Sequence, residues 1–301
     1  MKLFHGLSAF PITPTDAEGR VDTQALCRLL ERLVAAGVDS IGLLGSTGGY
    51  AYLPRSERRR AVAAAVGCVD GRTPLVVGVG ALRTDAAQAL ADDAEAAGAD
   101  ALLLAPVSYT PLTQEEVYQH SVAVAGATGL PLCLYNNPGT PHFTFGRELI
   151  ARLATVANIV AVKMPLPADG DFAAEIAALR KTVPADFAIG YSGDWGAAEA
   201  LLAGADAWYS VVGGTLPAAA LQLTRAAGEK NATEALRIDG ALQPLWTLFK
   251  EFGSIRVVYS MIRILGLSDS VPHRPILPLT AEDHQRVGSV LEKLGEVGLA
   301  E

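Results

Sequence analysis

The chain has 301 residues, of which 50% are hydrophobic and 19% charged, with a net charge of −8 and a pI near 5.2. That acidic balance argues against nucleic acid, since neutralising phosphates needs clustered Lys and Arg. Charges interrupt the apolar runs well short of the roughly 18 residues a membrane span requires, although mean hydropathy is +0.28.

The start, MKLFHGLSAFPITP, lacks a sustained apolar stretch and a small-residue cleavage pattern, so the expected location is cytoplasmic. The three cysteines, Cys27, Cys68 and Cys133, are far apart and form no CxxC; this predicts a reducing compartment and no disulfide framework. The first strand is predicted over 4–11. VDTQALCRLLERLVAAG then carries apolar residues at helical spacing. A second strand, 38–44, runs into GSTGGY (45–50), a tight loop of small residues. It is either a plain strand-to-helix turn or a backbone nest for a carboxylate or phosphate. RSERRR (55–60), after Pro54, reads as the solvated first turns of a helix.

A third strand is predicted over 74–79, and RTDAAQALADDAEAAG opens the next helix with a capping threonine. The fourth, 100–105, leads into PVSYTP, which contains Tyr109. The fifth, 131–136, ends in YNNPGTP (135–141) with Tyr135. The sixth, 159–164, carries Lys163. The seventh, 187–191, precedes SGDW (192–195), and the eighth, 206–212, precedes Gly213-Gly214. AGVDSIGLLGSTGG, AGADALLLAPVSY and AGADAWYSVVGG form a weak repeat in which a helix end and a glycine introduce an apolar strand. Strands apolar throughout and alternating with helices indicate a parallel sheet covered on both faces. Eight such units close most economically into an α/β fold of the (β/α)8 TIM-barrel type. Helices are expected at 216–228, 231–251, 254–266 and 281–297. The division expected is a barrel over 1–228 and a helical C-terminal extension over 229–301.

In such barrels the active site lies at the C-terminal strand ends. His5, His120, His142, His273 and His284 are scattered, and no cluster has metal-ligand spacing, so neither a metal nor a cofactor is expected. Lys163 has two readings. Walled by apolar residues, it loses stabilisation of its charged form and becomes an amine able to attack a carbonyl. Alternatively it reaches the rim or pairs with a carboxylate. Tyr135, on the neighbouring strand, either passes protons or is a packed aromatic; Tyr109 either does the same or serves an interface.

GSTGG after the second strand, Tyr135 in YNNPG and Lys163 in VAVK together resemble the dihydrodipicolinate synthase / N-acetylneuraminate lyase family. FPITPTDAEGRVD, GYSGD and YSVVGGTLP are similar to its landmarks too, so the likeness covers nearly the whole chain. The resemblance implies a Schiff-base lyase or aldolase on a (β/α)8 barrel, a homotetramer (dimer of dimers), acting on pyruvate or another small 2-oxo acid. It implies that Lys163 forms the imine and that Tyr135 shuttles protons. Ser46 and Thr47 would hold the substrate carboxylate, with Ser46 also in the proton relay. Tyr109 matches the tyrosine that many members lend to the neighbouring subunit's site. Gly48, Thr140, Gly193 and Tyr209 complete the implied substrate-binding set.

The chain departs from the synthases at four places: Gly49 stands where they have Glu, Thr140 where an arginine grips a second carboxylate, Trp195 where an acid is common, and Leu82 where asparagine is typical. A neutral threonine cannot make the bidentate pair. These changes point to a less acidic, more apolar partner than a true dihydrodipicolinate synthase takes. Three other readings compete: dehydration or deamination of a sugar acid or hydroxyproline-derived substrate through the same imine, a phosphate-binding barrel resting on Gly213-Gly214, and a catalytically silent sensor of a 2-oxo acid.

Overall fold

The computed structural model describes residues 3–300. Eight short strands form: β1 (Gly6–Ala9), β2 (Ser40–Leu43), β3 (Leu75–Gly78), β4 (Ala101–Leu104), β5 (Leu132–Tyr135), β6 (Ile159–Met164), β7 (Ala188–Tyr191) and β8 (Ala207–Ser210). Each lies inside the span expected from its apolar run. Every neighbouring pair is parallel, and β1 pairs with β8 through Gly6↔Ala207 to Ala9↔Ser210, which closes the barrel. Nearly every strand residue is buried, because helices cover the outer face while side chains fill the inside.

The crossover helices are α1 (Thr23–Ala36), α2 (Arg55–Val69), α3 (Thr84–Ala97), α4 (Gln114–Ala125), α5 (Arg147–Leu153), α6 (Phe172–Arg180), α7 (Ala197–Leu202) and α8 (Pro217–Gly228). Their ends follow local chemistry. The Asp22 carboxylate caps α1 by accepting from the Gln24 and Ala25 amides, and Gly37 ends it at φ 78. Three further helices follow: α9 (Ala232–Phe252), α10 (Ser254–Ile264) and α11 (Ala281–Glu296). α9 packs on α8 and α10, and its Leu242, Leu245 and Trp246 join the same continuous core as the barrel. Among the described residues no helix is long and apolar enough to cross a membrane.

Three expectations need correction, the smallest at Thr84, which is the first helical residue of α3 and not its cap: Arg83 holds the cap position without a side-chain hydrogen bond, and Thr84 Oγ1 pairs with His120 Nδ1 at 3.0 Å. RSERRR is not wholly solvated: Arg55, Arg59 and Arg60 are exposed, but Arg58 is buried. Its guanidinium donates to the Gly78 carbonyl (2.7 Å) and the Gly80 carbonyl (3.0 Å) at the C-terminal end of β3, and it lies 5.3 Å from the Tyr50 ring centroid. Burial lowers its pKa to about 10, so it stays charged at neutral pH. The helix turn aims this one arginine at the barrel while its neighbours face out. Third, Cys27 and Cys68 form a disulfide, with Cα atoms 5.8 Å apart. They are separated by 41 residues, but α1 and α2 pack side by side and bring them together.

Replacing Arg58 by Met keeps the stem and removes both charged hydrogen bonds. The expected loss is about 2–4 kcal/mol in denaturant unfolding, against no change if the arginine is dispensable. Thiol alkylation of the unfolded, unreduced chain is expected to label Cys133 alone; labelling of all three cysteines without reductant contradicts the bridge.

Candidate active site

Lys163 lies one residue before the end of β6. It is in register with Tyr135 on β5 and with Gly190 on β7. Residues in register on neighbouring strands project to the same face, so the lysine and tyrosine share the barrel mouth. Lys163 is only 5% exposed. Its Nζ lies 4.1 Å from the ring centroid of Phe10, 4.3 Å from that of Tyr135 and 5.6 Å from that of Tyr209. Nζ has no hydrogen-bond or ion-pair partner among the described residues. The lysine neither reaches the rim nor pairs with a carboxylate among the described residues; its amine lies over aromatic faces and borders the cavity at the barrel mouth.

Glycines make this arrangement possible. A Cβ at Gly42 would lie 2.2 Å from Phe10 Cζ, and one at Gly45 2.5 Å from Phe10 Cδ1. A Cβ at Gly190 would lie 2.6 Å from Tyr209 Cε2. Any side chain at these positions displaces a ring from the lysine.

Tyr135 is also 5% exposed. Its hydroxyl accepts a hydrogen bond from Asn137 Nδ2 (2.7 Å), and the same nitrogen donates to Thr140 Oγ1 (3.1 Å). Asn137 Oδ1 accepts from the Gly139 amide (2.9 Å), which locks the side chain onto its own turn. Since the phenol accepts from Asn137, its own proton is free to point elsewhere. Asn137 was not singled out from sequence; its place between Tyr135 and the Pro-Gly turn was the available signal.

A cavity of ≈ 670 Å³ opens above Lys163. Ser46, Thr47, Tyr135, Thr140, Gly193 and Tyr209 all line it. Ser46 Oγ is buried and without a partner, so no Tyr135–Ser46 link is present. The loop bearing Ser46 follows Leu44, a non-glycine residue at φ 56. Gly48 does not line the cavity: it is packed against the Leu44 backbone and Thr13 Oγ1, each 3.1 Å from where a Cβ would stand. Tyr209 offers its ring, while its hydroxyl pairs with the buried Cys133 Sγ at 3.4 Å. Burial pushes the Cys133 thiol up to about 12. Tyr109 stands apart, 97% exposed, and lines a separate ≈ 210 Å³ cleft with Pro141, His142 and Phe143.

Asp194 of SGDW is fully buried and was missed as a supporting group. Its carboxylate accepts from Trp208 Nε1 (3.0 Å) and from the amides of Val211 (3.1 Å) and Val212 (2.7 Å), which ties the loop after β7 to the end of β8. Gly213-Gly214 is spent on packing. The Gly213 amide donates to Ser210 Oγ and that of Gly214 to the Val211 carbonyl, and a Cβ at Gly214 would strike the Phe10 carbonyl oxygen at 2.4 Å. The phosphate-cradle reading thus loses its donors.

The four departures differ in consequence. Leu82 is exposed and outside the cavity, whereas Gly49, Thr140 and Trp195 line it. Gly49 adopts φ 64, and a Cβ there would lie 2.4 Å from His273 Cδ2. The imidazole of the C-terminal extension fills the space that a larger residue 49 would need. It stacks on Tyr52 with ring centroids 6.0 Å apart, and burial holds its pKa below the ordinary value.

Comparison with known proteins identifies the family. The chain matches the dihydrodipicolinate synthetase family over residues 3–294. The 4-hydroxy-tetrahydrodipicolinate synthase of Pseudomonas putida (strain W619) is 35% identical over 285 residues, 94% of this chain and 96% of that protein. The crystal structure of a dihydrodipicolinate synthase from Agrobacterium tumefaciens str. C58 superposes with TM-score 0.96 at 65% identity, covering 97% of this chain and 98% of that one. That of the Acinetobacter baumannii enzyme complexed with pyruvate gives TM-score 0.87 at 29% identity, covering 97% and 99%.

Two outcomes follow from the site's packing. Gly49→Ala is expected to destabilise by about 1–3 kcal/mol through positive φ and the His273 clash. A His273→Ala background should recover only the clash, as read by thermal unfolding; a neutral Gly49→Ala contradicts the packing. Burial raises the Asp194 carboxyl from the ordinary 3.8 to about 6, against its three hydrogen bonds. The folded chain then holds that proton more tightly than the unfolded chain does. This contribution favours folding in acid and is lost as pH rises from about 4 through 6. Carbon-13 NMR of labelled aspartates should show a carboxyl titrating near pH 6 that Asp194→Asn removes; a full set titrating below pH 5 contradicts it.

Proposed function

This chain belongs to the dihydrodipicolinate synthetase family, carbon–carbon lyases of the class I aldolase type, and on that premise we propose that Lys163 forms a Schiff base with pyruvate or a closely related 2-oxo acid. The observation that carries the proposal is the amine of Lys163, buried among three rings without a carboxylate partner and in register with Tyr135. An amine so placed lies where a carbonyl entering the cavity can reach it.

The carbonyl carbon of the 2-oxo acid takes the Lys163 nitrogen and releases water. Its carboxylate is held by Ser46 and Thr47; the unpartnered Ser46 hydroxyl supports this role. The protonated imine withdraws electrons, so a methyl proton is lost to give an enamine. The enamine carbon then forms a bond to an aldehyde, or in reverse is released as that bond breaks. Tyr135 carries the protons, with its hydroxyl steadied by Asn137. Thr140, Gly193 and Tyr209 shape the wall around the substrate.

We further place Tyr109 in the site of a neighbouring subunit within a homotetramer, a dimer of dimers. Support comes from its 97% exposure on its own chain, outside its own cavity. A second reading, 4-hydroxy-tetrahydrodipicolinate synthase activity as such, is favoured by the names of the curated relatives at 35% identity.

Borohydride added with pyruvate is expected to leave the mass of a reduced pyruvate imine on Lys163, and none on Lys163→Ala. Tyr135→Phe should slow deuterium exchange of the pyruvate methyl group by about 10²–10⁴-fold, a readout that needs no aldehyde. An unmodified Lys163 across a panel of 2-oxo acids refutes the proposal.

A further inference from the structure

The cavity is larger than a three-carbon acid needs, and much of its wall beyond the imine-forming end is apolar, although Tyr50, Tyr52, Ser192 and Ser254 also line it. Val107, Leu166, Trp195, Phe249, Ile255 and Ile276 contribute to it, the last three from α9, α10 and the loop after α10. Among the described residues Lys163 is the only lysine, arginine or histidine in the lining. The only carboxylate there, Asp194, is occupied by three hydrogen bonds. Thr140, at the position the synthases give to an arginine, is neutral, and its Oγ1 is held by Asn137. Two cations stand just outside the lining: Lys250 is exposed with its Nζ over the Trp195 ring at 5.5 Å, and Arg256, beside the lining Gly253, donates Nη1 to the Phe252 carbonyl (3.0 Å).

A second carboxylate brought against this wall would lose water and gain no ion pair, which disfavours it strongly. An apolar group gains there, about fourfold in binding for each methylene buried. Resting on the Schiff-base reading above, we propose that the carbonyl partner of this site is an uncharged aldehyde bearing an aliphatic or aromatic group of several carbons. The enamine carbon of the Lys163-bound pyruvate forms a bond to the aldehyde carbon. The aldehyde π pair moves to oxygen, which takes a proton, and one water releases the product from Lys163. Pyruvate and R–CHO thus give a 4-hydroxy-2-oxo acid carrying R at carbon 4, with no oxidant or reductant. The reverse reaction cleaves the same acid.

The test supplies purified enzyme with pyruvate and hexanal or benzaldehyde, against glyoxylate or succinic semialdehyde as carboxylated aldehydes. Product 4-hydroxy-2-oxo acids are read by mass spectrometry, with borohydride trapping of the pyruvate imine run in parallel. The expected kcat/KM for the neutral aldehydes exceeds that for the carboxylated ones by about tenfold or more. Trp195→Ala should lower the neutral value through KM, and Thr140→Arg should raise the carboxylated value about tenfold. A trapped imine with equal or better use of carboxylated aldehydes, or with no use of neutral ones, overturns the proposal and leaves the Schiff-base reading standing. Failure to trap any imine overturns both.

Discussion

The amine of Lys163 is enclosed by rings and faced by no carboxylate, and much of the barrel mouth is arranged to keep it so. A carboxylate at Nζ would hold the lysine as a fixed ammonium and end its use as a nucleophile. The molecule avoids that by filling the space with Phe10, Tyr135 and Tyr209. Phe10 and Tyr209 fit only because Gly42, Gly45 and Gly190 carry no side chains where their ring atoms pass. Absent side chains on β2, in the loop after it and on β7 therefore shape the enclosure of a residue on β6.

Polar supports stand one layer back. Asp194 joins the ends of β7 and β8 by accepting from two amides and an indole, and Arg58 ties α2 to the end of β3. Asn137 links Tyr135 to Thr140 within one turn. Each holds a loop at the mouth of the barrel, and although the Lys163 charge reaches Asp194 and offsets part of its burial, the two form no ion pair. Rigid strand ends and tethered loops keep Lys163 and Tyr135 in register.

Much of this was legible in the sequence, and the reasons are physical. Strands buried on both faces leave continuous apolar runs, so all eight were located by composition and spacing. Lys163 was conspicuous because an ammonium ending such a run contradicts its surroundings, and Tyr135 because the next strand places it alongside. What stayed hidden depends on contacts between distant segments. Nothing near Gly49 announces that His273 packs over it, and nothing in RSERRR tells which arginine turns inward. The Cys27–Cys68 bridge follows from two helices lying side by side, a fact of tertiary packing. Asn137 and Asp194 were visible as letters, but their roles needed the hydrogen bonds.

The two halves of the cavity thus carry different information. The end at Lys163 carries the aromatic enclosure and Tyr135, while Gly49, Thr140 and Trp195 line the same cavity beside it. The central claim is that Lys163 bonds covalently to a 2-oxo acid in this aromatic enclosure. A crystal structure of the protein soaked with pyruvate tests it most directly. The account predicts continuous density from Lys163 Nζ to the second carbon of pyruvate, with the carboxylate against Ser46 and Thr47. A free lysine beside intact pyruvate, or pyruvate bound elsewhere, would contradict it.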